Sequence, residues 1–300
     1  MNAPSHQRVL LTGGSGQLGY ECQLAAPSDV EAVAPARSVL DLADPTSIRA
    51  CVQEVQPALI LHCGAWTAVD AAEQDTAAAF AVNERGSRVL AEEAAACGAR
   101  LVLVSTDYVF AGEGDRPWRP DDPVDPINAY GRSKLAAEQA VAEVLGDRAQ
   151  VVRTSWVYGR RGKNFVRTML SLMQQGKELK VVADQLGAPT WAGGLAQALW
   201  ALRAAPEAGP IFHYSDAGIT SWYGFASTIR ELALGLGLEV ADSSVSPCST
   251  EEYPTPARRP AWSPLEASPE WADWGVAAAA WQDALEHALP LLLAEDARAR

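Results

Sequence analysis

The sequence predicts an α/β fold: a Rossmann-type doubly wound parallel sheet followed by a smaller C-terminal α/β lobe. Three observations carry this expectation. Compact apolar runs recur at residues 9–12, 30–34, 59–63, 101–105 and 151–154, as strands buried on both faces do. Helical sequence falls between most of them, which is the alternation of a parallel sheet. A glycine-rich turn follows the first run, where such sheets take a nucleotide.

The first run ends at Thr12 and opens into Gly13-Gly14-Ser15-Gly16-Gln17-Leu18-Gly19. Gly14, Gly16 and Gly19 spell Gly-x-Gly-x-x-Gly, and Gly13, Gly16 and Gly19 spell Gly-x-x-Gly-x-x-Gly. Either spacing permits a tight turn and a close backbone approach to a pyrophosphate. The helix N-terminus beyond it supplies amide donors and a favourable dipole. Set between strand and helix, the loop reads as a dinucleotide cradle rather than a plain turn.

The second run is followed by Ala34-Pro35-Ala36-Arg37-Ser38. The acid that ordinarily holds the adenosine ribose of NAD there is absent, and Arg37 is placed to meet a 2′-phosphate. The expected cofactor is NADPH, favoured over NADH, which the loop would also admit. Asp41 and Leu42 follow close enough to contact adenine. Asp44 then caps a helix through Val55 with Pro45 in its first turn. An alanine-rich helix is expected over 77–97, stopped by Gly98.

The fourth run ends in Ser105-Thr106 at the carboxyl edge of the sheet, where ligands bind. A hydroxyl there can orient a substrate oxygen. The next helix, over 127–145, is stopped by Gly146. It carries Tyr130 and Lys134, four residues apart and so on one face. An ammonium beside a phenol favours the phenolate, so the pKa of Tyr130 is expected to fall. Such a tyrosine exchanges a proton with a carbonyl or alcohol near neutral pH.

Beyond Thr154 the texture changes. Prolines cluster at Pro247, Pro254, Pro256, Pro260, Pro264 and Pro269, among helical stretches at 165–175, 195–204, 223–236 and 276–293. A nucleotide-binding domain over 1–155 and a substrate lobe over 156–300 are expected, with an approximate boundary that the chain can recross. The polar tail 295–300 is expected to fray.

Composition sets the outer limits. With 300 residues, 48% hydrophobic and 20% charged, the chain has the core mass for one large domain or two modest ones. A net charge of −13 argues against nucleic-acid or membrane partners, since both need a positive footprint. The five cysteines, Cys22, Cys51, Cys63, Cys97 and Cys248, form no Cys-x-x-Cys pair. His6, His62, His213 and His287 lack ligand spacing, so neither a disulfide framework nor a metal is expected. No signal peptide or membrane span is visible, and a cytoplasmic protein is expected.

A resemblance rests on blocks that run in order over nearly the whole chain. They are residues 12–19 with Gln17 inside, Ala65-Trp66-Thr67-Ala68-Val69-Asp70, Ser105-Thr106-Asp107-Tyr108-Val109-Phe110 and Asn128-Ala129-Tyr130-Gly131-Arg132-Ser133-Lys134. Arg153-Thr154-Ser155-Trp156-Val157-Tyr158-Gly159, Asp184-Gln185-Leu186-Gly187-Ala188-Pro189-Thr190 and Arg259-Pro260-Ala261-Trp262-Ser263 complete the set. Together they resemble the extended short-chain dehydrogenase/reductases, and within them the dTDP-4-dehydrorhamnose reductase family.

The resemblance implies hydride transfer to the C4 ketone of dTDP-4-dehydro-6-deoxy-L-mannose. Tyr130 would protonate the oxygen, Lys134 would hold the nicotinamide ribose and tune Tyr130, and Thr106 would polarise the ketone. It assigns Gly13, Gly16, Gln17, Leu18, Gly19, Ala65 and Thr67 to the cofactor, beside Arg37, Asp41 and Leu42. It assigns Thr106, Asp107 and Trp156 to the substrate, the indole stacking on the sugar; without the resemblance Trp156 reads as core. Arg160, Arg161 and Lys163, or equally Arg258 and Arg259, are candidates for the substrate diphosphate. Some relatives carry a glutamate in a metal-linked dimer where this chain has Trp191-Ala192-Gly193-Gly194. No metal is therefore expected, and the chain is read as a monomer or weak homodimer. Trp66 stands where the family has a smaller aromatic.

Two other readings compete. An epimerase or dehydratase would recycle its cofactor, and a dehydratase would pair an acid with Asp107 where Tyr108 stands. A non-catalytic subunit on this fold would have lost part of Thr106, Tyr130 and Lys134.

Overall fold

The computed structural model describes residues 7–298; His6 and residues 299–300 lie outside it. In the first half, β1 (Gln7–Thr12), α1 (Gln17–Leu24), β2 (Val30–Val33), α2 (Pro45–Val55) and β3 (Leu59–His62) follow in turn. Next come α3 (Val69–Gln74), α4 (Thr76–Phe80), a π-helical turn (Ala81–Arg85), α5 (Gly86–Cys97), β4 (Arg100–Thr106), α6 (Ala129–Leu145) and β5 (Ala149–Thr154). The second half begins with β6 (Val157–Tyr158), α7 (Phe165–Gln174), β7 (Glu178–Val182), β8 (Leu186–Gly187) and β9 (Thr190–Trp191). It continues through α8 (Ala192–Arg203), β10 (Ile211–His213), β11 (Thr220–Ser221), α9 (Trp222–Gly235), β12 (Ser244–Cys248), α10 (Glu270–Asp273) and α11 (Trp281–Arg298).

The main sheet has six parallel strands in the order β2-β1-β3-β4-β5-β10. All five apolar runs of the sequence are strands in it. They alternate between two buried faces, which is why they read as nearly continuous apolar sequence. Leu10, Ile60, Leu101 and Leu103 pack with residues of α2, α5 and α6. Val9, Leu11, Leu61, Val102 and Val152 pack with α1 and α8. The strand order reverses between β1 and β3, and their carboxyl ends open a crevice at that switch point.

After Thr154 the chain leaves this sheet and then returns. Helix α8 is apolar almost all round, with Leu195, Ala196, Ala198, Leu199, Trp200 and Leu202 buried. It lies against α1, where the Trp200 indole donates to the Cys22 carbonyl at 2.9 Å. Strand β10 then adds to β5 in register Phe212↔Val152. Three residues are too few to signal a strand in sequence. The other elements form a second core, in which α7, α9 and α11 bury Met169, Met173, Phe225, Ile229, Leu285 and Leu289 beside the parallel pair β7–β12.

Two expected helices depart from the sequence reading. The alanine-rich stretch 77–97 is two helices joined by the π-helical turn, which swings Asn83 into the interior. Its side chain bonds both backbone groups of Trp66 and the Ser133 hydroxyl, and such turns concentrate near functional sites. The final helix starts at Trp281 rather than 276, because Ala280 is held in a bridge to Ala217. It continues to Arg298 instead of fraying at Glu295. There Glu295 pairs with Arg161 at 2.7 Å and Asp296 pairs with Arg167.

Candidate active site

The glycine turn is held open by its own geometry. Gly13 has φ of +68°, a left-handed conformation that side chains disfavour. A Cβ there would also come within 2.7 Å of the Gly64 Cα on the neighbouring strand end. Gly16 stands before α1 with no side-chain cap, so the first amides of that helix are free to face an anion. Gln23 fastens the turn by donating to the Gly14 carbonyl at 2.7 Å. The switch point is tied by Thr12, whose hydroxyl accepts from the Gly64 amide at 3.0 Å and lies 2.7 Å from His62 Nδ1. Burial, with the Lys134 charge adding to it, pushes His62 down to about 3. It is a neutral internal brace, as its lack of ligand spacing suggests.

A cleft of about 660 Å³ runs from this turn across the carboxyl edge of the sheet. Gly13, Gly16, Gln17, Leu18, Arg37, Asp41, Leu42, Ala65 and Thr67 line it, and so do Thr106, Asp107, Tyr130, Lys134 and Trp156. Of the residues singled out in the sequence for the cofactor, Gly19 is not part of the wall, and of the cationic candidates for the substrate diphosphate only Lys163 is. Gly19 acts one layer back, where a Cβ would sit 2.8 Å from the Gly14 Cα. Arg37 is largely exposed and makes only a loose 3.8 Å pairing with Asp41. Its guanidinium therefore remains available to an anion.

Two elements bring Thr106, Tyr130 and Lys134 together. Thr106 ends β4 and caps the tight turn Asp107–Val109, accepting from the Tyr108 amide at 3.2 Å. Its hydroxyl donates to Asp107 Oδ1 at 2.9 Å, and Asp107 Oδ2 is buried without a partner. Helix α6 carries the other two. Its start is fixed by Asn128, whose carbonyl oxygen accepts from the Gly131 amide at 2.8 Å, and by Glu73, which accepts from the Ala129 amide at 2.6 Å. Lys134 donates to the Val104 carbonyl at 2.8 Å.

Burial sets the charge states here. It pushes the Asp107 carboxyl up to about 7, against the opposing influence of the nearby Ser263 and Thr106 hydroxyls. It pulls Lys134 down to about 8. The expected fall in the Tyr130 pKa does not occur. Desolvation raises it, and a hydrogen bond with Thr106 only partly offsets this. The Lys134 ammonium is turned to the Val104 carbonyl, and removing the phenol from water outweighs the neighbouring charge. Tyr130 is thus a protonated phenol at neutral pH, the form a proton donor needs.

The cationic candidates separate clearly. Lys163 lines the cleft. Arg160 pairs with the buried Glu21 at 3.3 Å, and Arg161 with Glu295 while covering the Tyr20 ring at 3.8 Å. Arg258 pairs with Glu113 and Arg259 with Asp70.

Sequence reasoning missed several wall residues. The hydroxyl of Thr154 is buried there without a partner, as is that of Ser105, which the sequence had already placed at the strand end. Phe165 and Trp222 come from the second half of the chain. Trp222 stacks on Trp156 with ring centroids 3.5 Å apart and planes at 9°. No motif links residue 222 to the site, since its place depends on how the second lobe folds.

The chain is similar over almost its whole length to proteins of one family. The RmlD substrate binding domain family matches residues 7–293. A dTDP-4-dehydrorhamnose reductase of Streptomyces griseus is 42% identical over 95% of this chain and 94% of that protein. One of Burkholderia thailandensis is 41% identical over 93% of this chain and 96% of that protein. Among solved structures, a dTDP-4-dehydrorhamnose reductase of Bacillus anthracis in complex with NADP superimposes with a TM-score of 0.88. It is 35% identical and covers 95% of this chain and 99% of that one. The chain belongs to the RmlD family, that of the dTDP-4-dehydrorhamnose reductases.

Proposed function

We propose that this chain reduces the C4 ketone of dTDP-4-dehydro-6-deoxy-L-mannose to dTDP-L-rhamnose with NADPH, the last step of dTDP-rhamnose formation. One observation carries the reading: a single cleft joins the glycine cradle to Thr106, Tyr130 and Lys134 at the sheet edge. The cradle fits a dinucleotide, because Gly13 and Gly19 let its backbone close tightly against Gly64 and on itself, and the first amides of α1 carry no side-chain cap. The residues that would hold it are Gly13, Gly16, Gln17, Leu18, Ala65 and Thr67, with Asp41 and Leu42 at the adenine end. Arg37, held only loosely by Asp41, would meet the 2′-phosphate. When bound, the reduced nicotinamide supplies the hydride.

The chain's own residues handle the oxygen. The Thr106 hydroxyl orients and polarises the ketone. As C4 becomes tetrahedral, the Tyr130 phenol gives its proton to the oxygen. Lys134 stabilises the phenolate left behind and holds the nicotinamide ribose. Asp107 bonds the sugar, and in its neutral form it adds no negative charge beside the developing oxyanion. The Trp156 indole stacks on the apolar face of the sugar. The second-half elements outside the main sheet form the lobe that grips the nucleotide sugar.

The protein is read as a cytoplasmic monomer or weak homodimer. Among the described residues no helix is long and apolar enough to cross a membrane. The test is to supply the keto sugar and follow absorbance of the reduced nicotinamide. Net oxidation is expected. Its absence at generous enzyme rejects the reading, and conversion of the sugar without net oxidation would mark an epimerase or dehydratase.

A further inference from the structure

We propose that Trp222 is a positioning residue for substrate binding, acting by holding the Trp156 indole. The inference rests on the reductase reading above and extends it to a residue outside the motif blocks. Trp156 has φ of +44°, and Gln56 is the only other described non-glycine residue with a positive value. A bulky side chain keeps such a backbone only where the surroundings fix it, and residues of this kind gather at ligand sites.

The surroundings of Trp156 do fix it. The Ser155 hydroxyl before it donates to the Ala188 carbonyl at 2.7 Å. Its own carbonyl accepts from the Thr190 amide at 3.3 Å, and Val157 after it pairs with Thr190. The indole itself meets two jaws. One is the Trp222 ring, nearly parallel at 3.5 Å. The other is Gly187, where a Cβ would fall 2.6 Å from the indole Cε2, so only glycine leaves room.

The jaws are one unit. Strand β8, which carries Gly187, pairs with β11 in register Thr220↔Gly187. Ser221, next along β11, caps α9 by accepting from the Gly224 amide at 3.0 Å, and Trp222 is the first residue of that helix. Phe165 packs on Trp222 at 4.7 Å. The second half of the chain thus sets the tilt of an indole that hangs from the end of β5, on the rim shared with Thr106. A flat ring recognises a sugar face only at a fixed tilt, so loosening the stack should weaken sugar binding and leave the reacting groups intact.

The test compares Trp222→Ala, Trp222→Phe, Gly187→Ala, Trp156→Ala and the Trp156→Ala/Trp222→Ala double variant. Readouts are kcat, KM for the keto sugar, NADPH affinity, thermal unfolding and the circular dichroism couplet of stacked indoles. Trp222→Ala and Gly187→Ala are expected to raise KM by roughly tenfold, with kcat within about threefold and NADPH affinity unchanged. Trp222→Phe keeps a ring in place and should recover most of the KM while losing the couplet. The double variant should be no worse than Trp156→Ala alone, as for residues acting in series. An unchanged KM in Trp222→Ala, or additive effects in the double variant, overturns the proposal. So does an equal loss of kcat and NADPH affinity, which would mark a purely structural role. If Trp222→Ala does not fold, Trp222→Phe and Gly187→Ala decide by the same criteria. A wild-type enzyme that leaves NADPH unoxidised refutes the reductase reading itself, which is a different failure.

Discussion

The two ends of the cleft are built differently. At the cofactor end the backbone forms the site: Gly13 in a left-handed turn, an uncapped α1 N-terminus and a strand end tied by Thr12. At the sugar end side chains form it: Trp156 clamped by Trp222 and Gly187, Asp107 buried beside Thr106, and the unpartnered hydroxyls of Ser105 and Thr154 buried in the wall. Backbone sites are written in contiguous residues. A side-chain site is assembled from segments far apart in sequence, and its chemistry depends on burial. Substitutions at the two ends should therefore fail in different ways, and Tyr130 and Lys134 at the junction should fail in a third.

The largest effect is expected at the junction. Tyr130→Phe removes the proton donor and should lower kcat by roughly 10²- to 10⁴-fold, while NADPH binding, followed by fluorescence, is retained. Wild-type-like turnover would remove Tyr130 from the reaction. Next is the cradle. Gly13→Ala forces a side chain into a left-handed turn and against Gly64. Strain of about 1–3 kcal/mol corresponds to roughly a five- to 150-fold weaker cofactor. Calorimetry should show that loss, and an unchanged affinity would break the contrast drawn between the two ends.

A smaller effect is expected at Arg37. Arg37→Ala should cut the preference for NADPH over NADH by about tenfold, the range of one partly exposed charge-assisted contact. The ratio of kcat/KM for the two cofactors measures it. A wild-type enzyme that prefers NADH would remove that role from Arg37.

The smallest effect is a pH dependence at the sugar end. Asp107 is pushed from an ordinary 3.8 up to about 7. Below pH 7 it is neutral; above it, a carboxylate accepts the Thr106 hydroxyl's hydrogen bond more strongly, holding that donor away from the ketone, and sets negative charge beside the developing oxyanion. kcat/KM should fall severalfold as pH rises through about 7, and Asp107→Asn should flatten that limb. Stability follows the same sign. A folded pKa above the unfolded one contributes stability that is fully present below about pH 4. That contribution is lost as pH rises through about 7. Thermal unfolding of Asp107→Asn between pH 4 and 8 should lack that decline.

What the sequence revealed follows the same division. The five strands, the cradle, the Asp44 cap and the helix expected over 127–145, found at Ala129–Leu145 before Gly146, were legible because each is set by local pattern. Strand β10 was not, being three residues recruited by β5 after a long excursion. The break at Ala81–Arg85 was hidden because alanines fit α and π turns alike and only the buried bonds of Asn83 select the latter. The protonated state of Tyr130 was missed because spacing places Lys134 on the same face but says nothing of the Val104 carbonyl that engages it. Trp222 had no local signal at all.

The central claim is that this cleft delivers hydride to a sugar ketone at Thr106 and Tyr130. The most direct test uses NADPH deuterated at the transferable position of the nicotinamide, mixed with the keto sugar and analysed by mass spectrometry and NMR. One deuterium at C4 of dTDP-L-rhamnose for each NADPH oxidised is the result expected. A product without deuterium at C4, or turnover of the sugar with no net loss of NADPH, would contradict it.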